Sequence, residues 1–279
     1  MNFIYIYLHL VYNYLKGGGM LEKLKKYLKS SKKVKYFDEI SSTNTVLKEM
    51  AQKGASENTI LISEYQTQGR GRLGKSFFSP KGCGIYLSYL LKPESTPDNA
   101  QFLTVAAAVA IRRALISVLN IKTEIKWVND IYFDNKKLCG ILTEAGISSS
   151  GSLDYAILGI GLNIKTPECG YPEEFSYKTT NLESIKGQIT EEKKWQLTAE
   201  FINIFDEIWE DKNRFYVEEY KEASCIIGKE IEILSGEYKG FAKAVDIDNN
   251  ANLIVELKCG KTVALGTGDV SIIFNQSCT

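Results

Sequence analysis

Between Gly69 and Ser76 the chain reads GRGRLGKS, three cations within six residues on a glycine-rich backbone. The stretch satisfies G-x-x-x-x-G-K-S, the P-loop spacing, and also G-x-G-x-x-G, the dinucleotide spacing, through Gly69, Gly71 and Gly74. Both patterns work by opening a helix whose N-terminus cradles phosphate. The residues that follow, FFSPKGCGIYL, place Pro80, Gly82 and Gly84 where the first helical turns would stand. Proline inside a helix costs about 3 kcal/mol and each glycine about 1, so neither pattern applies. What remains is a loop carrying Arg70, Arg72 and Lys75, entered from one strand and left into another. A solvated basic turn and an anion site both fit that description. Glycines that let the backbone approach a ligand keep the second open.

Other chemistries lack their parts. The single histidine, His9, sits in an apolar N-terminal run, so Ser-His-Asp hydrolysis, Cys-His catalysis and histidine-ligated metal sites are excluded. Six cysteines, at 83, 139, 169, 225, 259 and 278, form no C-x-x-C pair. They read as reduced thiols acting as small hydrophobes, which suits a cytoplasmic location. Thirty-four basic residues balance 34 acidic ones, so any anion site must use a local cluster rather than bulk charge. Positioning and fixed positive charge are the tools this chain has.

The elements around the loop follow from patterning. Residues 1–15 are apolar and aromatic but shorter than the roughly 20 residues a membrane helix needs. They lack the basic start and cleavage site of a signal peptide, which makes Met20 a candidate first residue. LEKLKKYLKS reads as a short amphipathic helix, KVKYFDEI as a strand and SSTNTVLKEMAQKG as a capped helix stopped at Gly54. TILISEYQ is a buried strand running into the glycine loop, and GIYLSYLLK alternates like a strand. The run from Gln101 to Asn120 is alanine-rich but carries Arg112 and Arg113, as a packed core helix does. Residues 121–147 read as three strands with a turn at Asp134-Asn135-Lys136, and SLDYAILGIGLNI as another buried strand. Residues 165–188 are rich in turns, and a helical stretch runs from about Thr190 to Ala223. Short β-type segments beyond Ile226, separated by SGEYKG, DNNAN and KCGK, suit a small antiparallel barrel. The divisions expected are 1–34 (extension and short helix), 35–225 (catalytic domain) and 226–279 (C-terminal domain).

Four ordered motifs, SSTN at 41–44, EYQTQGRGRLGKSFFSP at 64–80, KWVNDIYFDNKKLCGILTE at 126–144 and GIGLNI at 159–164, resemble those of the biotin protein ligases. The likeness covers about residues 35–275. It implies an α+β fold: a mixed β-sheet flanked by helices, like the class II aminoacyl-tRNA synthetases, with a C-terminal SH3-like β-barrel. It also implies two steps, formation of biotinyl-5′-AMP from biotin and ATP with Mg²⁺, then transfer of biotin to a lysine of a biotin carboxyl carrier domain. By similarity, Arg72 and Lys137 would grip the biotin carboxylate and α-phosphate from opposite sides. Asp130 would help place the metal or the incoming lysine. Ser42, Thr43, Gln66, Gly69, Arg70, Gly71, Gly159 and Gly161 would form the biotin site. Lys75, Phe77, Asn129 and Asn163 would join Arg72 and Lys137 around the nucleotide, Phe77 stacking on adenine.

Departures from the family pattern are few. Val128 replaces the proline of Trp-Pro-Asn-Asp, Phe77 a frequent tryptophan, and Lys75 an arginine, which keeps charge but loses bidentate grip. No reacting group is lost. A lipoate- or octanoyl-type protein ligase, and a biotin-binding module without catalysis, are the other readings; retention of Arg72 and Lys137 speaks against the second. Some relatives are also repressors with an N-terminal winged helix; here SSTN begins at residue 41 and net charge is zero, so no DNA binding and no membrane association are expected. Monomer and homodimer are both compatible with the family. Residues 69–84 are expected to be mobile without ligand and to close over the adenylate, because a mixed anhydride must be kept from water.

Overall fold

The computed structural model describes residues 18–93, 100–148, 152–266, 268 and 270–272. The apolar run at 1–15, with His9, and Cys278 lie outside them. The main sheet has seven strands in the order β1-β2-β3-β7-β6-β5-β4: Lys33–Phe37, Thr59–Ser63, Gly84–Leu91, Leu153–Asn163, Lys136–Ile147, Asp130–Phe133 and Glu124–Lys126. Only β1 and β2 run parallel; the other described pairs are antiparallel.

Alternating side chains of β2 and β3 enter two different cores. Ile60, Ile62, Leu87, Tyr89 and Leu91 join the large core with helices Ala100–Leu119 and Glu191–Glu210. Leu61 and Leu90 join a smaller one under helix Thr43–Gln52. Because helices cover both faces, all eight residues of β3 are buried. The alternation read from GIYLSYLLK therefore separates two packed faces, not a wet face from a dry one. Ala100–Leu119 includes a window long and apolar enough to cross a membrane, yet 72% of that window is buried inside the fold.

The helical stretch expected from Thr190 to Ala223 is two helices, Glu191–Glu210, whose Thr190 cap accepts from the Lys193 N–H, and Tyr216–Glu222. Beyond them lie β8 to β12, Glu230–Ile233, Gly240–Ile247, Leu253–Leu257, Thr262–Leu265 and Val270–Ile272, in an antiparallel sheet of order β11-β10-β9-β8-β12. This sheet is open: among the described residues β11 and β12 are not paired, so the closed barrel expected from sequence is not formed there. Its inward side chains, Ile231, Ala244, Leu253 and Val255 among them, belong to the large core. The β9–β10 turn is pinned by Asp248, whose Oδ1 accepts from the Asn250 and Asn252 N–H groups. It presents the buried Ala251 (φ 61°). The Ala251 carbonyl accepts from Gln101 Nε2 (2.7 Å) and Trp127 Nε1 (2.9 Å).

Candidate functional site

The floor of the site is a polar network under an otherwise apolar sheet. Ser42 caps helix Thr43–Gln52, and its neighbour Thr43 places N–H and Oγ1 at 2.8 and 3.1 Å from Gln66 Oε1. Gln66 Nε2 donates to Ser79 Oγ (2.9 Å), which donates to the Phe77 carbonyl (2.9 Å). Ser88, fully buried in β3, lies 2.7 Å from Thr43 Oγ1 and 2.6 Å from Asn44 Oδ1. Asn44 Nδ2 donates in turn to Glu144 Oε2 (2.9 Å). Such buried polar atoms are tolerable because each has a partner.

Two glycines of β7 make room for what covers that floor. A Cβ on Gly159 would stand 2.2 Å from Asn44 Oδ1, and one on Gly161 would stand 2.4 Å from the Phe77 ring. Any side chain there would expel Asn44 or Phe77, so glycine is required for close approach rather than for a turn.

The arginine loop folds into a small hairpin above the floor. Phe77 N–H donates to the Gly69 carbonyl (2.9 Å) and Gly71 N–H to that of Lys75 (2.7 Å), with a bridge between Arg70 and Ser76. Arg72–Gly74 is a single 3₁₀ turn and β3 begins only at Gly84, so no helix opens after Ser76 and the phosphate-cradle geometry is absent. Leu73, at the tip, is exposed with φ 53°. Arg70 Nη1 meets Glu144 Oε1 at 3.1 Å, and Arg72 Nη1 donates to Asn129 Oδ1 (3.2 Å).

The facing wall is the β5–β6 hairpin. Asp134 and Asn135 both take positive φ (48° and 59°), the two-residue turn whose twist matches the strands. Lys137 Nζ lies 2.7 Å from Asp130 Oδ1, an ion pair across this hairpin. The Lys137 backbone also joins the segment after helix Glu173–Ser176, accepting from Thr180 N–H and donating to the Lys178 carbonyl. Asn129 is locked by reciprocal bonds with Ile141 (2.7 and 2.9 Å), and Tyr220 OH donates to the Val128 carbonyl (2.8 Å). Full burial, with the Asp130 charge added, holds the Tyr220 phenol well above its ordinary pKa. The Trp127–Val128 peptide is cis.

Between these walls lies a cavity of about 550 Å³. Arg70, Arg72, Lys75, Lys137 and Lys178 line it against Asp130 and Glu174, so a chain with no net charge concentrates cations here. No group of three or more metal-ligating side chains occurs among the described residues. An apolar-and-amide floor under a cationic rim suits a ligand with a neutral hydrogen-bonding head and an anionic end.

Comparison with known proteins agrees. The model of the biotin/lipoate A/B protein ligase family matches residues 36–163. The biotin--[acetyl-CoA-carboxylase] ligase of Mycobacterium tuberculosis is 30% identical over 241 residues, covering 82% of this chain and 85% of that protein. The chain belongs to this ligase family. The bifunctional ligase/repressor BirA of Bacillus spizizenii is 36% identical over 153 residues, 55% of this chain and 47% of its own length. The match thus spans about half of that relative. Among solved structures, the Aquifex aeolicus biotin protein ligase in complex with biotin and ATP superposes with a TM-score of 0.72 at 28% identity, over 87% of this chain and 99% of that one.

Most residues expected from the family pattern line the one cavity: Ser42, Thr43, Gln66, Arg70, Gly71, Arg72, Lys75, Phe77, Asn129, Asp130, Lys137, Gly159 and Gly161. Two do not. Gly69 is buried at the loop's base, where a Cβ would stand 2.2 Å from the Phe77 carbonyl, so its role is to close the hairpin. Asn163 ends β7 and donates to the Thr180 carbonyl (3.1 Å), bracing the 165–182 segment instead of facing the cavity. Lys137 and Asp130, expected to serve different parts of the substrate, here neutralise each other.

Sequence reading missed Asn44, Ser88, Glu144 and Lys178. Asn44 stood in a quoted motif and Ser88 interrupted an apolar strand, a visible signal of a polar group with a buried partner. Glu144 likewise ended a quoted motif without being given a role, and Lys178 gave no comparable signal.

Proposed function

We propose that the chain activates biotin with ATP to biotinyl-5′-AMP and passes the biotinyl group to a lysine of a biotin carboxyl carrier domain, acting in the cytoplasm. Support comes chiefly from Arg72 and Lys137 lining one cavity whose floor is the Thr43–Gln66–Asn44 amide and hydroxyl network.

The ureido head of biotin is neutral and needs paired donors and acceptors, which the floor supplies. Its valeryl carboxylate points toward the cationic rim. In the first step a carboxylate oxygen attacks the α-phosphorus, the bond to the bridging oxygen breaks, and pyrophosphate leaves. Charge on charge is the main barrier, and fixed cations lower it without imidazole; one such donor is typically worth about 10²–10³ in rate. Magnesium arrives with ATP as part of the substrate. It is commonly held by one or two carboxylates plus phosphates, and Asp130 would be the carboxylate to hold it when Lys137 turns to the substrate. In the second step the carrier's neutral amine attacks the acyl carbon, AMP departs with the bonding electrons, and the amine proton is lost. Phe77, over Gly161, offers the adenine a ring face.

The test is pyrophosphate release on mixing chain, ATP and biotin, followed by transfer of radiolabel to a purified carrier domain. Biotin should support both. Equal release with lipoate would favour the other branch of the family, and binding of biotin without release would favour a non-catalytic module.

A further inference from the structure

The hydrogen bonds that leave the base of the arginine loop return to it. From the Phe77 carbonyl they pass through Ser79 and Gln66 to the Thr43 N–H. Ser88 Oγ has one proton for two neighbours. It offers that proton to Thr43 Oγ1 (2.7 Å) or to Asn44 Oδ1 (2.6 Å), both of which accept. Asn44 Nδ2 then reaches Glu144 Oε2, and Arg70 Nη1 stands 3.4 Å from that oxygen and 3.1 Å from Oε1. The circuit starts at one stem of the hairpin and ends at the other, passing Thr43, Asn44 and Gln66, which line the cavity.

Glu144 is its last link and the only charged one besides Arg70. It does not line the cavity. Its side chain is 18% exposed and that of Arg70 44%. The carboxylate is therefore fixed by the floor, while the guanidinium it holds belongs to the loop. Arg72 has its own partner in Asn129, on the facing wall.

We infer that Glu144 is a positioning residue: by holding Arg70 it sets the resting place of the arginine loop and so limits escape of the reactive adenylate. The loop's position follows from geometry alone, and the effect on the adenylate rests on the ligase reading above. A half-exposed pair shifts an equilibrium by a modest factor, so the effect is graded and not all-or-none.

Limited trypsin digestion of the ligand-free full chain tests this, since the loop offers cleavage after Arg70, Arg72 and Lys75. Glu144→Gln keeps the acceptor for Asn44 and removes the charge. It should raise the initial cleavage rate in the loop roughly fivefold, with cleavage elsewhere unchanged and Tm within about 4 °C. Arg70→Gln should speed cleavage after Arg72 similarly, and the double variant should go no further than either single. Should Glu144→Gln fold poorly, Arg70→Gln carries the same comparison from the exposed partner. With biotin and ATP but no carrier domain, Glu144→Gln should also raise steady-state pyrophosphate release, relative to the first-turnover burst, by a similar factor. Equal loop cleavage in Glu144→Gln and wild type, or additive single effects, would overturn the proposal. A wild-type chain that releases no pyrophosphate would instead defeat the ligase reading, leaving the cleavage rates to decide the loop's position.

Discussion

Lys137 Nζ stands 2.7 Å from Asp130, and its backbone is bonded to Lys178 and Thr180. Substituting alanine removes a cation from the rim and leaves a carboxylate without its counter-ion. Lys137→Ala should cut single-turnover pyrophosphate release about 10²–10³-fold, and wild-type turnover in that variant would refute the role given to the lysine. The two covered glycines separate the halves of the cavity. Gly159→Ala displaces Asn44 and should raise KM for biotin more than for ATP; Gly161→Ala displaces Phe77 and should do the reverse. Steady-state kinetics with each substrate varied in turn would show whether the split exists. Residues of this kind were legible because they stand in contiguous motifs. The parts played by Ser88 and Glu144 were not legible, although Glu144 ends one of those motifs, because each depends on a partner 44 or 74 residues away that only folding brings near.

Side chains tether the arginine hairpin through Arg70 to Glu144 and through Arg72 to Asn129. Its tip has no apolar anchor, Leu73 being exposed. Few buried contacts make for cheap local opening. Biotin with ATP should therefore slow proteolytic nicking between residues 69 and 84; identical nicking with and without ligands would contradict closure. Beneath the loop the network is rigid instead. Ser88→Ala would leave the Asn44 amide oxygen and Thr43 hydroxyl short of a buried partner, at a cost of about 1–3 kcal/mol. A urea midpoint shifted accordingly with an unchanged m-value would bear that out. Turn chemistry made elements such as the Asp134-Asn135 hairpin readable, and Pro80 with the glycines around it excluded a helix after the loop. Face assignment in β3 was not readable, because a strand covered on both sides alternates between two interiors.

At the scale of the whole chain, burial decides which thiols can react. Burial pushes the Cys225 thiol up to about 11 and those of Cys83 and Cys139 upward as well, whereas Cys169 and Cys259 are exposed. A thiolate reagent at neutral pH should label Cys169 and Cys259 before Cys83, Cys139 and Cys225, which should react only on unfolding, as peptide mapping would reveal. The overall charge balance, by contrast, concealed the cationic rim, since loop, hairpin and the 172–180 segment each bring only a few charges to it. Closure of the C-terminal sheet was likewise beyond local pattern: alternation and turns specify strands, but whether β11 meets β12 depends on tertiary pairing.

One backbone oxygen ties the C-terminal sheet to the middle of the chain. Ala251 takes the indole N–H of Trp127 and the amide of Gln101 at once, and Trp127 lies two residues before Asn129. A gene cut after residue 225 would keep every group assigned to the reaction, yet strand a buried indole hydrogen beside the reaction chamber. The amputated enzyme should fail through a loosened wall, with the chemical groups themselves all still present.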